Sequence, residues 1–226
     1  MRLSGKRLGR SFYARPATVV ARDLLGRVMV RIDHGVRLSG RLVEAEAYEE
    51  DDPASHSHAG RTARNEVMFG RAGLLYVYFT YGMHYCLNVV TRQVGQGSAV
   101  LIRALEPLQG SEEMARRRGT ADPRLLCSGP ARLCQALGVD LAQNGIDLVR
   151  SDVMWIEAGA PVGDHDVVAG ARVGVRRGAE EPWRFVVGGS PFVSRGRTTS
   201  GEAPSRRREP PSCSSAARLP ARGSAV

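Results

Sequence analysis

The sequence predicts an α+β fold: a single mixed domain built on a largely antiparallel, curved β-sheet, flanked by helices and carrying a protruding β-hairpin. Three observations predict it. Strand-like runs outnumber helical ones and do not alternate with them as βαβ repeats would, which argues against a parallel sheet. The run from Gly73 to Val90 is rich in aromatic and β-branched residues around Gly82, the chemistry of a hairpin. A hydrophobic content of 42% over 226 residues can bury one substantial core and excludes a fibrous or wholly disordered chain.

In chain order, residues 1–10 read as a charged, flexible N-terminus with no apolar run behind it, which argues against a secretory signal. Pro16 opens a helix in which Val19, Val20, Leu24 and Leu25 recur at helical spacing, and Gly26 ends it. Strands follow at 27–32 and 37–48. A polar, Gly-rich loop covers 49–65. The hairpin spans 75–90 and turns through Tyr81, Gly82, Met83 and His84; an apolar strand at 99–105 then ends at Glu106 and Pro107. Ser111, Glu112 and Glu113 mark one helix start. Ser128, Gly129 and Pro130 mark another, which reaches Leu137 and stops at Gly138. Strand-like patterns at 149–157, 171–175 and 183–187 complete a domain spanning 11–194. Beyond it, 195–226 is rich in Arg, Ser, Pro and Gly with scarcely any apolar residue, the composition of a disordered tail.

The chain carries 32 basic and 23 acidic residues, a formal charge of +9, and Lys6 is its single lysine. The basic balance favours polyanionic partners, although Arg-rich, Lys-poor usage also follows from GC-rich codons. More than half of the net charge sits on the tail, which reads either as a non-specific nucleic-acid arm or as a solvated extension. Cys86, Cys127, Cys134 and Cys213 show no CxxC spacing, so neither a zinc site nor a disulfide scaffold is indicated, and a reducing compartment is the simplest reading. The uncharged run 73–90 is long enough to be weighed as a membrane span, but its Gly, His, Asn and aromatic content favours the hairpin.

Chemistry concentrates in three segments. In RLVEAEAY, a two-residue period places Leu42, Glu44, Glu46 and Tyr48 on one face and Val43, Ala45 and Ala47 on the other. Carboxylates on a strand that enters the protein body are costly unless paired or used, while a wet edge strand would carry them freely. The hairpin places Tyr76, Tyr78 and Thr80 on one face, Val77 and Phe79 on the other, and Asn88 with Cys86 and Val90 on the returning strand. Its tip offers Tyr81 and Met83 where Asn or Asp is usual; that suits a wedge entering a base stack, or a hairpin packed on its own sheet. The loop SHSHAGRTARN offers His56 and His58 without a third metal ligand. Its Arg61 and Arg64 suit phosphate contacts, as does the helix start at Ser128 and Gly129.

The blocks FYARPATVVARDLLGRVMVR, LVEAEAY, ASHSHAGRTARN, MFGRAGLLYVYFTYGMHYCLNVV, AVLIRALEP and SGPARLCQAL, followed more weakly by VGVRRGAEEPWRF, run in order through nearly all of the domain. With them the chain resembles the alkyladenine (3-methyladenine) DNA glycosylase family. The resemblance implies a monomeric enzyme, without metal or cofactor and without a membrane, that acts on damaged double-stranded DNA in the cytoplasm or nucleoid. Its activity would be hydrolytic excision of 3-methyladenine, 7-methylguanine or hypoxanthine. By motif position it implies Glu46 as the general base for water and Arg103 as its helper. Tyr48, His56 and Tyr78 would form the walls of a flipped-base pocket, Asn88 its guard against normal guanine, and Tyr81 the intercalating residue.

These roles have physical reasons. A base hidden in the stack must be extruded and its gap filled. Aromatic faces attract a cationic alkylpurine, and an ionised acid stabilises an oxocarbenium-like sugar. Lys6 lies outside the matched blocks, which favours water over an amine nucleophile and hence a monofunctional enzyme without lyase activity. Two departures stand out: Ala63 where the family commonly has Pro, and Arg176 and Arg177 where an acidic residue and Tyr are more usual. The alternatives are an inactive protein of the same fold that binds lesions or duplex DNA, and a metal-dependent hydrolase using Glu44, Glu46 and His56.

Overall fold

A computed structural model describes residues 5–195. The tail expected at 195–226 lies outside the described residues apart from Arg195. Two helices come first, α1 (Arg10–Tyr13) and α2 (Ala17–Leu24), then strands β1 (Val28–Asp33) and β2 (Val36–Tyr48). A long loop with a 3-10 turn at Glu66–Phe69 leads to the hairpin β3 (Leu75–Thr80) and β4 (His84–Val90), and β5 (Ala99–Gln109) follows. Helices α3 (Ser111–Arg118), α4 (Pro123–Leu126) and α5 (Pro130–Leu137) precede the short strands β6 (Met154–Glu157), β7 (Val167–Gly170) and β8 (Arg184–Val187).

All strand pairs are antiparallel, in the order β3-β4-β5-β2-β1-β6, with β8 joining β2 and β7 joining β8. The branch at β2 positions the site. Its first half pairs with β1, while Glu44 to Glu46 lie between β5 on one side and β8 on the other. Helix α2 buries Ala17, Val20, Ala21 and Leu24 against β2 and β5, and α5 buries Leu133, Ala136 and Leu137 against β4 and β5. Gly138 ends α5 at φ +67°, where a side chain would be strained. The uncharged run 73–90 forms the hairpin, and no helix among the described residues is long and apolar enough to cross a membrane.

Several expectations need correction. Val19 is 41% exposed, because the buried stripe of α2 runs through Val20, Ala21 and Leu24. Strand β5 continues past Pro107 to Gln109. Beyond Leu101 it no longer pairs with β4, and an irregularity between Ser39 and Gly40 accommodates the proline opposite β2. In β2 the simple alternation breaks. Leu42 joins the core cluster with Ala45 and Ala47, Val43 does not, and the β2–β5 register shifts between Leu42 and Glu44. A bulge moves one residue to the other face, so Leu42 and Glu44 no longer share one. Residues 149–153 and 171–175 are not strands. The first segment is folded back by hydrogen bonds to Asp147 and Ser151, and the second turns at Gly174, φ +77°, to carry Arg172 and Val173 inward. In the N-terminal segment, Leu8 is buried and Arg7 bridges to Glu157 beside β6.

Candidate active site

The centre of the site is the acid pair on β2. Glu44 and Glu46 have no exposed surface, and a carboxylate withdrawn from water persists only among donors. Glu44 Oε1 accepts hydrogen bonds from Arg103 Nε at 2.8 Å, Arg184 Nε at 2.7 Å and Ser194 Oγ at 2.8 Å; Oε2 accepts from the Ser194 backbone N–H at 2.6 Å. Glu46 Oε1 accepts from the Val173 N–H at 2.7 Å, and Oε2 accepts from the Tyr48 hydroxyl at 2.9 Å and Arg103 Nη1 at 3.2 Å. A carboxylate offers about four acceptor positions, so Glu46 keeps one, on Oε1. Burial opposes the charge on Arg103, but Glu46 and Glu44 outweigh it and raise its pKa above the ordinary guanidinium value.

Beside this pair opens a cavity of about 370 Å³. Its lining brings together Tyr48 from β2, His56 from the long loop, Tyr76 and Tyr78 from β3 and Asn88 from β4, closed by Met68, Ala99 and the segment from Gly174 to Arg177. Glu46 lies behind this surface, flanked by Tyr48 and the Val173–Gly174 turn. Tyr76 and Tyr78 project together because they are two apart on β3; their ring centres are 5.5 Å apart, and the His56 ring meets Tyr78 edge-on at 4.5 Å. His56 Nδ1 also lies 3.0 Å from the Tyr76 hydroxyl, and Asn88 Nδ2 donates to the Tyr76 carbonyl at 3.1 Å.

Electrostatics keep this lining in defined protonation states. Burial pushes the Tyr76 hydroxyl up to about 12. Burial also raises Tyr78 well above the usual phenol range, and Tyr48 likewise, with the Glu46 charge adding to the effect there. Packing against the tyrosine rings, and then the nearby charge of Arg64, lower the pKa of His56 although part of its ring remains open to solvent.

The outer wall stands on a buried ion pair that the sequence reading missed. Arg172 binds both oxygens of Asp52 and donates to the Ala47 carbonyl at 2.9 Å, while its guanidinium lies 4.7 Å from the Tyr48 ring centre and 5.2 Å from that of Trp183. Arg184, Val173 and Ser194 were missed as well. The available signal was an arginine inside an apolar run, seen at both Arg172 and Arg184, since such a side chain is buried only against an acid.

The remaining candidates lie outside the cavity. Tyr81 and Met83 project from the hairpin tip, 86% and 69% exposed. Tyr81 and Gly82 both have positive φ, +52° and +68°, and Met83 N–H closes onto the Thr80 carbonyl, the pattern of a type I′ turn. Arg64 lies over Tyr78 and Arg61 over Phe69, at 5.4 and 5.0 Å. Gly129 sits at the N-cap of α5, and Ser128 accepts from Arg132, whose side chain lines a cleft with Met83. Among the described residues no group of three or more His, Cys, Asp or Glu is placed to hold a metal ion. Lys6 lies beside β6, at the opposite end of the strand order from β3.

Comparison with known proteins bears on the same residues. The sequence profile of methylpurine-DNA glycosylase matches residues 11–191. A protein of Carboxydothermus hydrogenoformans assigned as a 3-methyladenine DNA glycosylase is 49% identical over 188 residues, covering 83% of this chain and 98% of that protein. Proteins with the same assignment from Rhodopseudomonas palustris (strain BisB18) and Chlorobaculum parvum are 49% and 45% identical, covering 84% and 90% of this chain and 92% and 97% of their own lengths. With its profile match spanning the cavity and the acid pair alike, the chain belongs to the methylpurine-DNA glycosylase family.

Proposed function

We propose that this protein repairs DNA as a monofunctional glycosylase, flipping alkylated or deaminated purines such as 3-methyladenine, 7-methylguanine and hypoxanthine out of the duplex and hydrolysing the N-glycosidic bond. The observation that carries this reading is the buried Glu46, fixed by Arg103 and joined through Tyr48 to an aromatic-walled cavity. An extruded purine stacks on Tyr48 and Tyr78 beside His56, with Asn88 at the cavity wall, while Tyr81 and Met83 fill the vacated step. Water takes the free acceptor position on Glu46 Oε1 and attacks C1′ as the bond to N9 breaks. Glu46 receives the proton, and its charge offsets the oxocarbenium character of the sugar. Arg61, Arg64 and the helix start at Ser128 and Gly129 hold phosphates.

The deciding experiment measures free base released from duplexes bearing each damaged purine, by wild type and Glu46→Gln. The expected result is release by wild type and near abolition in the variant with DNA binding retained. Binding without release in wild type would identify a lesion-binding protein instead. Borohydride should trap no covalent adduct, since Lys6 is remote from the cavity.

A further inference from the structure

Arg176 and Arg177 line the cavity at its outer rim, and both are exposed. No hydrogen bond or ion pair joins either guanidinium to another described residue. The lining itself holds no acid, and two carboxylates behind it are already engaged: Asp52 by Arg172, and Glu46 by Arg103, Tyr48 and Val173. The rim therefore brings two positive charges that no acid in the wall offsets.

This matters because damaged purines leave in two charge states. A ring-alkylated purine is a cation while attached and departs neutral. A deaminated purine is neutral while attached and departs as an anion unless it is protonated on the way. The lining offers poor proton donors: buried phenols whose acidity is weakened, and an imidazole whose protonation is disfavoured.

We propose that Arg176 and Arg177 form a cationic rim that stabilises the purine anion leaving from a neutral lesion, and so bias this protein toward deaminated over cationic alkylated purines. The inference rests on the glycosylase reading above. In the step, the C1′–N9 bond breaks with both electrons passing to N9. The water oxygen bonds to C1′, and one water proton goes to Glu46. The purine anion takes a proton from solvent after departure, and Glu46 returns its own. Fixed positive charge near developing negative charge lowers the barrier, whereas the same charge opposes entry of a cationic base. A clamp on flanking phosphates is the competing use of two exposed arginines, but it would act on every lesion equally.

The test is single-turnover release of hypoxanthine and of 7-methylguanine from otherwise identical duplexes. It compares the full-length wild type, the Arg176→Ala/Arg177→Ala double variant and the Arg176→Lys/Arg177→Lys double variant with protein in excess of duplex but well below half-saturation, where the rate reports the whole climb from free duplex to transition state. The alanine variant should slow hypoxanthine release about tenfold and 7-methylguanine release by less than about threefold, as expected for loss of screened transition-state charge. The lysine variant should restore most of the ratio. Equal loss on both lesions would make the arginines a phosphate clamp and overturn the proposal, and so would a lysine variant that behaves like the alanine one. Release by wild type of neither base, nor of 3-methyladenine from a matching duplex, would overturn the glycosylase reading itself, a result distinct from either.

Discussion

The Tyr48 hydroxyl donates to Glu46 Oε2 at 2.9 Å, so one side chain forms the cavity wall with its ring and holds the buried acid with its oxygen. Its raised pKa keeps it a donor throughout the range in which proteins are folded. Tyr48→Phe separates the two roles. Base release should slow roughly tenfold to a hundredfold, matching the ~1.5–3 kcal/mol of a hydrogen bond to a charged group, while affinity for lesion-bearing duplex stays close to wild type. Single-turnover rates and titration binding check it, and a main effect on affinity would remove the hydroxyl from the chemistry.

Tyr81 occupies a left-handed turn position, φ +52°, that favours Asn or Gly. A bulky residue there costs about 1–2 kcal/mol. Tyr81→Asn should leave stability equal or higher by about 1 kcal/mol in denaturant while base release from well-paired lesions drops. Lesions opposite a mismatch should suffer less, because they cost less to extrude. Equal losses on paired and mismatched substrates would assign Tyr81 to packing.

Much of this hairpin was legible in the sequence. Alternation in LYVYFT places Tyr76 and Tyr78 together, and the cross-strand register brings Asn88 opposite Tyr76. The residue pattern placed Glu44 and Glu46 on one face with Tyr48 but left open whether that face was buried, because the bulge near Val43 and the pairing of β2 with β8 depend on contacts across the chain. Residues 171–175 mislead for a similar reason. Their apolar alternation looks like a strand, yet Arg172 is drawn to Asp52 and Val173 to Glu46, and these long-range bonds outweigh local propensity.

His56 gives a pH signature. Its folded-state pKa lies below the ordinary 6.5, through partial burial first and Arg64 second. As pH falls through that value the unfolded chain binds the proton first, so stability is lost below about 6.5 and levels off once folded His56 protonates. NMR titration should place His56 below 6.5. Arg64→Ala should move it upward without reaching that value, since burial is the larger cause. An unshifted His56 in wild type contradicts this account.

The Arg172–Asp52 pair makes a stability prediction. Both side chains are essentially buried, at 0% and 1% exposed. Asp52→Ala strands a guanidinium between Tyr48 and Trp183, and should destabilise the fold by about 3–5 kcal/mol. Adding Arg172→Met should recover part of that loss, because no unpaired charge then remains. Denaturant unfolding of the two single variants and the double variant measures the coupling, and additive losses would deny it.

Glu44 draws its partners from positions 103, 184 and 194. During synthesis, a chain leaving the ribosome therefore carries both acids for most of its length before the last donors appear. An acid cannot be enclosed cheaply without its partners, so the middle of the sheet stays open until β8 and Ser194 arrive. The acid pair is thus enclosed only once nearly the whole domain has been made. A chain that ends before position 184 lacks the Arg184 and Ser194 partners of Glu44 and leaves that acid to water.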